Sequence, residues 1–431
     1  MRRHLVSAFL LLILGPGLLR AQSAPSGVAL GNVLYFSGSD PAHGAELWRS
    51  DGTVAGTRLL IDLLPGRAGS NPQNLTAFQG RLFFTADDGA HGREIWSTDG
   101  TAAGTRLLSD ICPGSCTWLA PARTLVPSGN RMFFLLKLGL DRDYRLWSTD
   151  GTAAETAERA ALGFSASILA PLPNGRVLLS VTPTGTGSGV DSLWAFDDHA
   201  LLVISDLGLP GARSPIPLDD ATLFWKDSTL WRTDGTPEGT QVVQQNISAP
   251  GTPALIRNGI AYFSNGEGLW ESDGTTAGTI KLRGGISEAT FAASPCGPIF
   301  RSTELIWRIQ EPQHTVESLS HVLNLGAVVG PWSAGDRVFY ATDKTDESST
   351  PELWKVDPRT CQARKVTALC GPSQPCDPGI AVPVEQTAGA GRIGFFVMRT
   401  AAGRLVLWRT DGTSKGTFRL AIIGRVTPSV V

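Results

Sequence analysis

Six segments of this chain carry the same ten-residue pattern in one register, and that repetition constrains the fold more than any other feature. They begin at Trp48, Trp96, Trp147, Trp231, Trp270 and Trp408. Three residues on stands an aspartate (Asp51, Asp99, Asp150, Asp234, Asp273, Asp411). A glycine follows it (Gly52, Gly100, Gly151, Gly235, Gly274, Gly412), and then a threonine, as in Thr53 and Thr101. Gly and Thr return at plus eight and plus nine, as in Gly104-Thr105; the one departure among the six is Glu155, where Gly is expected. Three worn copies are placed by Trp194 with Asp197, Trp354 with Asp357-Pro358, and Trp307 with Gln310. Internal repeats of this length mark solenoids, propellers or arrays.

Each unit holds four short apolar runs separated by Gly, Asp and Asn turns. In the second unit these are 74–78, 81–86, 94–98 and 105–110, which predicts a four-stranded antiparallel meander. Runs such as Leu82-Phe83-Phe84 and Val33-Leu34-Tyr35-Phe36 are apolar on both faces, so both faces must be covered. With no helices to cover them, the neighbouring sheets must do so, and sheets packed face to face in a ring form a propeller. Residues 153–170 favour a helix by propensity, but their register matches the strand after each Asp-Gly-Thr. Trp spacings of 37 to 54 residues disfavour a solenoid, and no linker divides the chain into two smaller rings. The expected fold is therefore all-β: a single propeller of eight to nine blades, nine by count. Its units fall near 26–66, 70–114, 118–163, 166–208, 212–248, 251–286, 288–322, 325–370 and 378–424.

Residues 1–21 read as a signal peptide. Arg2 and Arg3 precede the apolar run Leu5–Leu14, a Gly-Pro-Gly break follows, and small residues lie at 21–24. The remaining 22–431 form the repeat domain, expected to be secreted, periplasmic or extracellular, with no later segment apolar enough to span a membrane. Losing Arg2, Arg3 and Arg20 leaves 34 basic against 39 acidic residues, a net charge of −5. A mildly acidic chain without a basic cluster excludes nucleic acid as the expected partner. Six cysteines in an exported chain point to disulfides rather than zinc. Cys112 with Cys116 and Cys370 with Cys376 are local pairs, and Cys296 and Cys361 remain to pair across neighbouring units.

The repeat unit, as in Glu46-Leu47-Trp48-Arg49-Ser50-Asp51-Gly52-Thr53, resembles the ELWxxDGTxxGT repeat family of exported bacterial proteins. The likeness extends over essentially the whole mature chain. It implies a repeat architecture and a surface or secreted location, and carries no biochemical activity with it.

The motif itself reads as the hairpin between third and fourth strands. Asp bonds to backbone N–H groups just ahead, Gly takes positive φ, and Thr adds hydroxyl bonds. No cofactor is expected. Calcium is the alternative, at these loops or at the acidic turns Asp40–His43 and Asp87–Gly92, since it needs six to eight oxygens. His43, His91, His199, His314 and His321 fit no zinc spacing, no Gly-x-Ser-x-Gly elbow occurs, and no catalytic residue is assigned. Asp197-Asp198 and Asp219-Asp220 lie in turns; a glycosidase would need two carboxylates converging in a cleft. The Asp-Gly-Thr rim is regular, whereas the opposite rim carries the long loops 183–191 and 343–351, so a protein or glycan partner is expected there. Trp118, Trp225 and Trp332, outside the motif register, are expected in the core. The reading is a binding or scaffolding propeller without catalysis. A polysaccharide hydrolase or lyase and a purely structural envelope component are the alternatives. Convergence of two acids and a histidine in the central channel would count against the first.

Overall fold

The computed structural model describes residues 27–111, 125–137, 143–163, 165–182, 192–197, 199–205, 213–302, 305–319, 327–343, 351–369, 384–400 and 403–425. They form nine four-stranded antiparallel sheets, each with its strands side by side in sequence order, arranged as the blades of a propeller. The blades span 28–61, 73–109, 126–163, 165–205, 213–245, 255–284, 289–318, 327–368 and 384–425. Among the described residues the one helical element is a 3₁₀ turn at Pro173–Gly175. Residues 157–171 are two strands, Ala157–Gly163 and Ser165–Pro171, so packing against neighbouring blades overrides their helical propensity.

Alternate residues of one strand serve opposite neighbours. On the second strand of blade one, Val33–Asp40, Leu34 and Phe36 pack with Phe395 and Leu407 of blade nine. Tyr35 between them packs with Phe84 and Trp96 of blade two. This two-sided burial is why the strands lack a polar face.

Every motif Trp stands on a third strand and pairs across to the second. Its partner is Phe36, Phe84, Phe134, Leu179, Phe224, Phe263, Phe300, Tyr340 or Phe396 in blades one to nine. Trp231 lies over Phe224 at 6.3 Å and 17°, and Trp408 over Phe396 at 6.1 Å and 18°, the offset pairing that stabilises sheets. In every blade but the seventh, the third and fourth strands slip register at this Trp. Leu47 faces Ile61 but Trp48 faces Leu59, and the extra residue, Leu60, turns into the core. A bulge of this kind re-aims a side chain and sharpens the local twist.

At six of the nine seams the first strands of neighbouring blades lie against one another, as 327–334 against 384–390 and 28–30 against 73–78. Fourth strands form the perimeter, where Leu202, Val203, Val242, Ile280 and Ile422 are exposed. The ring closes side to side, with no strand shared among the described residues: Arg409 of blade nine donates from Nη1 to the Gly52 carbonyl of blade one at 3.0 Å. Cys296 and Cys361 form a disulfide between blades seven and eight, Cα to Cα 5.6 Å. The expected pairs Cys112–Cys116 and Cys370–Cys376 lie outside the described residues, as do residues 1–26 and Trp118. No described helix is long and apolar enough to cross a membrane.

Candidate functional site

The Asp-Gly-Thr loops repeat one hydrogen-bond pattern. Asp234 Oδ1 accepts from the Thr236 N–H at 2.9 Å and its hydroxyl at 2.7 Å, Thr236 Oγ1 accepts from Gly239 N at 3.0 Å, and Thr240 Oγ1 donates to the Thr236 carbonyl at 2.6 Å. Gly235 sits at φ +91°, in the left-handed region. A Cβ on Gly239 would meet the Asp234 carboxylate at 2.1 Å. Where the sequence breaks the rule, at Glu155, the corresponding bond to Thr152 Oγ1 stretches to 3.3 Å while the Asp150–Thr152 bonds keep their length. The motif residues are thus engaged with one another. Trp48, Trp96, Trp147, Trp231, Trp270 and Trp408 are buried or half-buried inside the fold.

The glutamate two residues before Trp48 is a structural anchor. Glu46 is buried and accepts from the N–H groups of Leu63, Leu64 and Ser70 and from the Ser70 hydroxyl, holding the connection to blade two. The acidic turns are also self-satisfied. Asp40 accepts from Ala42 N, His43 N and the His43 ring, and Asp88 does the same with Ala90 and His91. The carboxylate hydrogen bond holds both imidazoles above their ordinary pKa. Asp220 is paired with Arg232 at 2.7 Å. Trp225 and Trp332 are buried.

Neighbouring blades are clamped by a basic side chain on the carbonyl of the next motif glycine. Arg49 reaches Gly100, Arg176 reaches Gly235, Lys355 reaches Gly412 and Arg409 reaches Gly52, at 2.9 to 3.4 Å. Three of the four, Arg49, Lys355 and Arg409, directly follow the motif Trp. Blade seven has no Asp-Gly-Thr loop, and the residue after Trp270 in blade six is Glu271 instead.

At that seam five polar side chains converge. The turn joining Leu305–Gln310 to Thr315–Ser318 brings His314 over blade six, where its Nδ1 lies 2.6 Å from Glu271 Oε1. The Glu271 side chain is 5% exposed, and its Oε2 is buried with no hydrogen-bond partner among the described residues; the His314 ring is 44% exposed. From the same turn, Glu311 accepts from the Tyr262 hydroxyl at 2.7 Å and pairs with Arg257 Nε at 3.0 Å. Tyr262 and Glu271 are register partners on adjacent strands, so strand pairing and one turn assemble the group. Burial, and then the Glu311 hydrogen bond, push the Tyr262 hydroxyl well above its ordinary pKa, keeping it a donor. His314 holds φ +56°, a left-handed conformation that His adopts more readily than most residues and that recurs where a side chain must be presented.

A buried carboxylate on Nδ1 fixes a histidine's tautomer and leaves Nε2 to take or give a proton. Sequence reasoning named His314 but not Glu271, Glu311, Arg257 or Tyr262. The available signal was a pair of neighbouring departures: an acid after Trp270, where five other units place Arg or Lys and three place Ser or Ala, followed by the unit that loses its loop. The cluster lies on the regular rim. The expectation for the opposite rim rested on loops 183–191 and 343–351, of which 183–191 and 344–350 lie outside the described residues.

No family model matches the chain, and no curated protein does. Solved structures with a similar fold include a puromycin-hydrolyzing peptidase of Mycobacterium tuberculosis (13% identity, TM-score 0.45, covering 75% of this chain and 58% of that one). A puromycin hydrolase matches at 14% and 0.42, covering 89% and 59%. An oligogalacturonate lyase in complex with manganese matches at 13% and 0.35, covering 59% and 75%. This chain spans 54% to 59% of the length of the prolyl endopeptidase and puromycin hydrolase structures it resembles. At these identities the likeness is one of fold. The expectation of a non-catalytic binding or scaffolding module is nevertheless corrected. Two acids and a histidine converge on the rim between blades six and seven, outside the central channel where such a group was looked for, and a histidine seated on a buried carboxylate is proton-transfer geometry that a plain scaffold does not need.

Proposed function

We propose that this chain is an exported propeller enzyme acting on polysaccharide, with His314 as its proton-transfer group. The observation that carries the reading is the 2.6 Å contact between a half-exposed imidazole and a carboxylate buried beneath it. A base oriented by a third group is the arrangement acid–base catalysis requires. Both carboxylates of the cluster are engaged in orienting: Glu311 through Tyr262 and Arg257, Glu271 through His314. Neither stands ready as a nucleophile or as half of a hydrolytic carboxylate pair. This favours elimination, in which a base removes a carbon-bound proton, over paired-carboxylate hydrolysis. Membership of the ELWxxDGT repeat family and export through the segment 1–21 belong to the same proposal. They are supported by the six in-register motifs and by the charged, apolar, small-residue order of the N-terminus.

The test is a panel of neutral and uronate-containing polysaccharides incubated with the mature chain. Unsaturated products are followed by ultraviolet absorbance and new reducing ends are assayed alongside. His314→Ala should lower the rate by at least about a hundredfold, the scale of general acid–base catalysis, and Glu271→Gln should lower it less. Reducing ends without unsaturation would make the enzyme a hydrolase. An absence of turnover across the panel, or a His314→Ala rate within about twofold of wild type, would overturn the proposal.

A further inference from the structure

The seam beyond the cluster is irregular too. Blade eight carries Pro358 where the motif glycine belongs, and Arg308, which follows Trp307, pairs with Glu317 of its own blade. The covalent link between blades seven and eight stands at this place. Cys361 closes the worn hairpin, its N–H on the Asp357 carbonyl at 2.8 Å, and is bonded to Cys296 in the first turn of blade seven. That turn is tightly knit: the Ser294 hydroxyl accepts from Cys296 N at 3.0 Å and donates to the Gly297 carbonyl at 2.8 Å. The Ser294 carbonyl accepts from Arg257 Nη1 at 2.8 Å, while the same guanidinium holds Glu311 through Nε. Glu311 lies three residues before His314 in one turn. The contacts therefore run without a gap from the disulfide to the imidazole.

We infer that the Cys296–Cys361 disulfide is a positioning element for His314, acting through Ser294, Arg257 and Glu311. The inference rests on the proposed role of His314 only in naming what is positioned; the coupling is a property of the fold. With the disulfide open, the 294–297 turn loses its tie to blade eight, Arg257 loses a fixed acceptor, and the Glu311–His314 turn is held to blade six less firmly. An ordinary staple would act differently, weakening blades seven and eight without reference to Arg257.

A double-mutant cycle read by hydrogen–deuterium exchange separates the two. Fragments covering 305–318 are followed by mass spectrometry in wild type, Cys296→Ser/Cys361→Ser, Arg257→Gln and the triple variant. The blade-five hairpin 234–240 serves as reference. Either change alone should speed exchange at 305–318 about tenfold, the scale of one charge-assisted hydrogen bond, and the triple variant should be no faster, with 234–240 unaltered. Effects that multiply in the triple variant, or that appear equally at 234–240, overturn the inference. Should the serine variant fail to accumulate, dithiothreitol supplies the same cycle with and without Arg257→Gln, in a chain whose Cys112, Cys116, Cys370 and Cys376 are replaced by serine so that only Cys296–Cys361 is opened. The dithiol passes two electrons and two protons to the disulfide, leaving two thiols, and is itself oxidised to its cyclic disulfide. The readout uses no substrate. Non-additive exchange with no turnover sinks the proposed function alone, and additive exchange with His314-dependent turnover sinks this inference alone.

Discussion

Replacing Trp96 by alanine and by phenylalanine tests what the repeated tryptophan contributes. The ring is 8% exposed and packs with Tyr35, Leu47 and Leu60 of blade one. An indole buries roughly 150–250 Å², worth roughly 4–6 kcal/mol at about 25 cal/mol per Å². The apolar area already covered in the unfolded chain trims this to about 3–5 kcal/mol, the usual cost of Trp→Ala. The N–H acts in the other direction. Trp96 Nε1 is buried with no hydrogen-bond partner among the described residues, a penalty of about 1–3 kcal/mol in the native state. Trp96→Phe keeps the cross-strand aromatic pair with Phe84 and removes that penalty, so it should cost less than about 1 kcal/mol. Trp270 supplies the contrast, because its Nε1 donates to Asn265 Oδ1 at 3.1 Å. Trp270→Phe should therefore cost about 1 kcal/mol more than Trp96→Phe. Urea unfolding of the three variants and the wild type, analysed with a common m-value, measures the differences. A Trp96→Ala loss below about 1 kcal/mol would show that the ring is not wedged between blades. Equal costs for the two phenylalanine variants would show that Trp96 Nε1 has a partner after all, and the reasoning from its burial would fail.

Acid should unfold the propeller through its own motif. In Asp51 the Thr53 hydroxyl bond is the main cause of a lowered pKa; in Asp234 and Asp411 burial acts upward but is outweighed by the Thr236 and Thr413 bonds. A lowered folded pKa means stability present above the unfolded value, near 4, and lost as pH falls through the folded one. Unfolding midpoints should hold above about pH 4 and drop below it, and the drop should shrink in Asp51→Asn/Asp234→Asn/Asp411→Asn. The His43 and His91 shifts have the opposite sign. Their contribution is complete below the ordinary imidazole pKa and is lost as pH rises through the raised one; NMR titration should place both midpoints high and Asp40→Asn should return His43 alone. Arg409→Ala should cost about 1–2 kcal/mol by thermal unfolding. It cuts the bonds to Gly52 and Gly416 and the contact over Phe418, and should cost more than Arg49→Ala, whose bond to Gly100 is longer at 3.4 Å.

The blades were legible from the chain alone because their signals are local. A Trp with Asp-Gly-Thr three residues on specifies a hairpin through bonds within seven residues, and apolar groups on both faces of a run such as 33–36 demand a sheet on each side. Even the helix-prone stretch 153–170 yielded to the repeat register. The cross-strand partner of each Trp was also latent in the pattern, since a pleat of period two sets it. The candidate site was not legible, because nothing in it is a spacing. Arg257, Tyr262, Glu271, Glu311 and His314 spread over 58 residues and two blades, and their meeting depends on which turn overhangs which strand. Glu271 and His314 read singly are a strand residue and a turn residue. Only the packing of blade seven on blade six buries the one and leaves the other half-exposed above it, and burial beside a partner is what turns two unremarkable side chains into a proton-transfer pair.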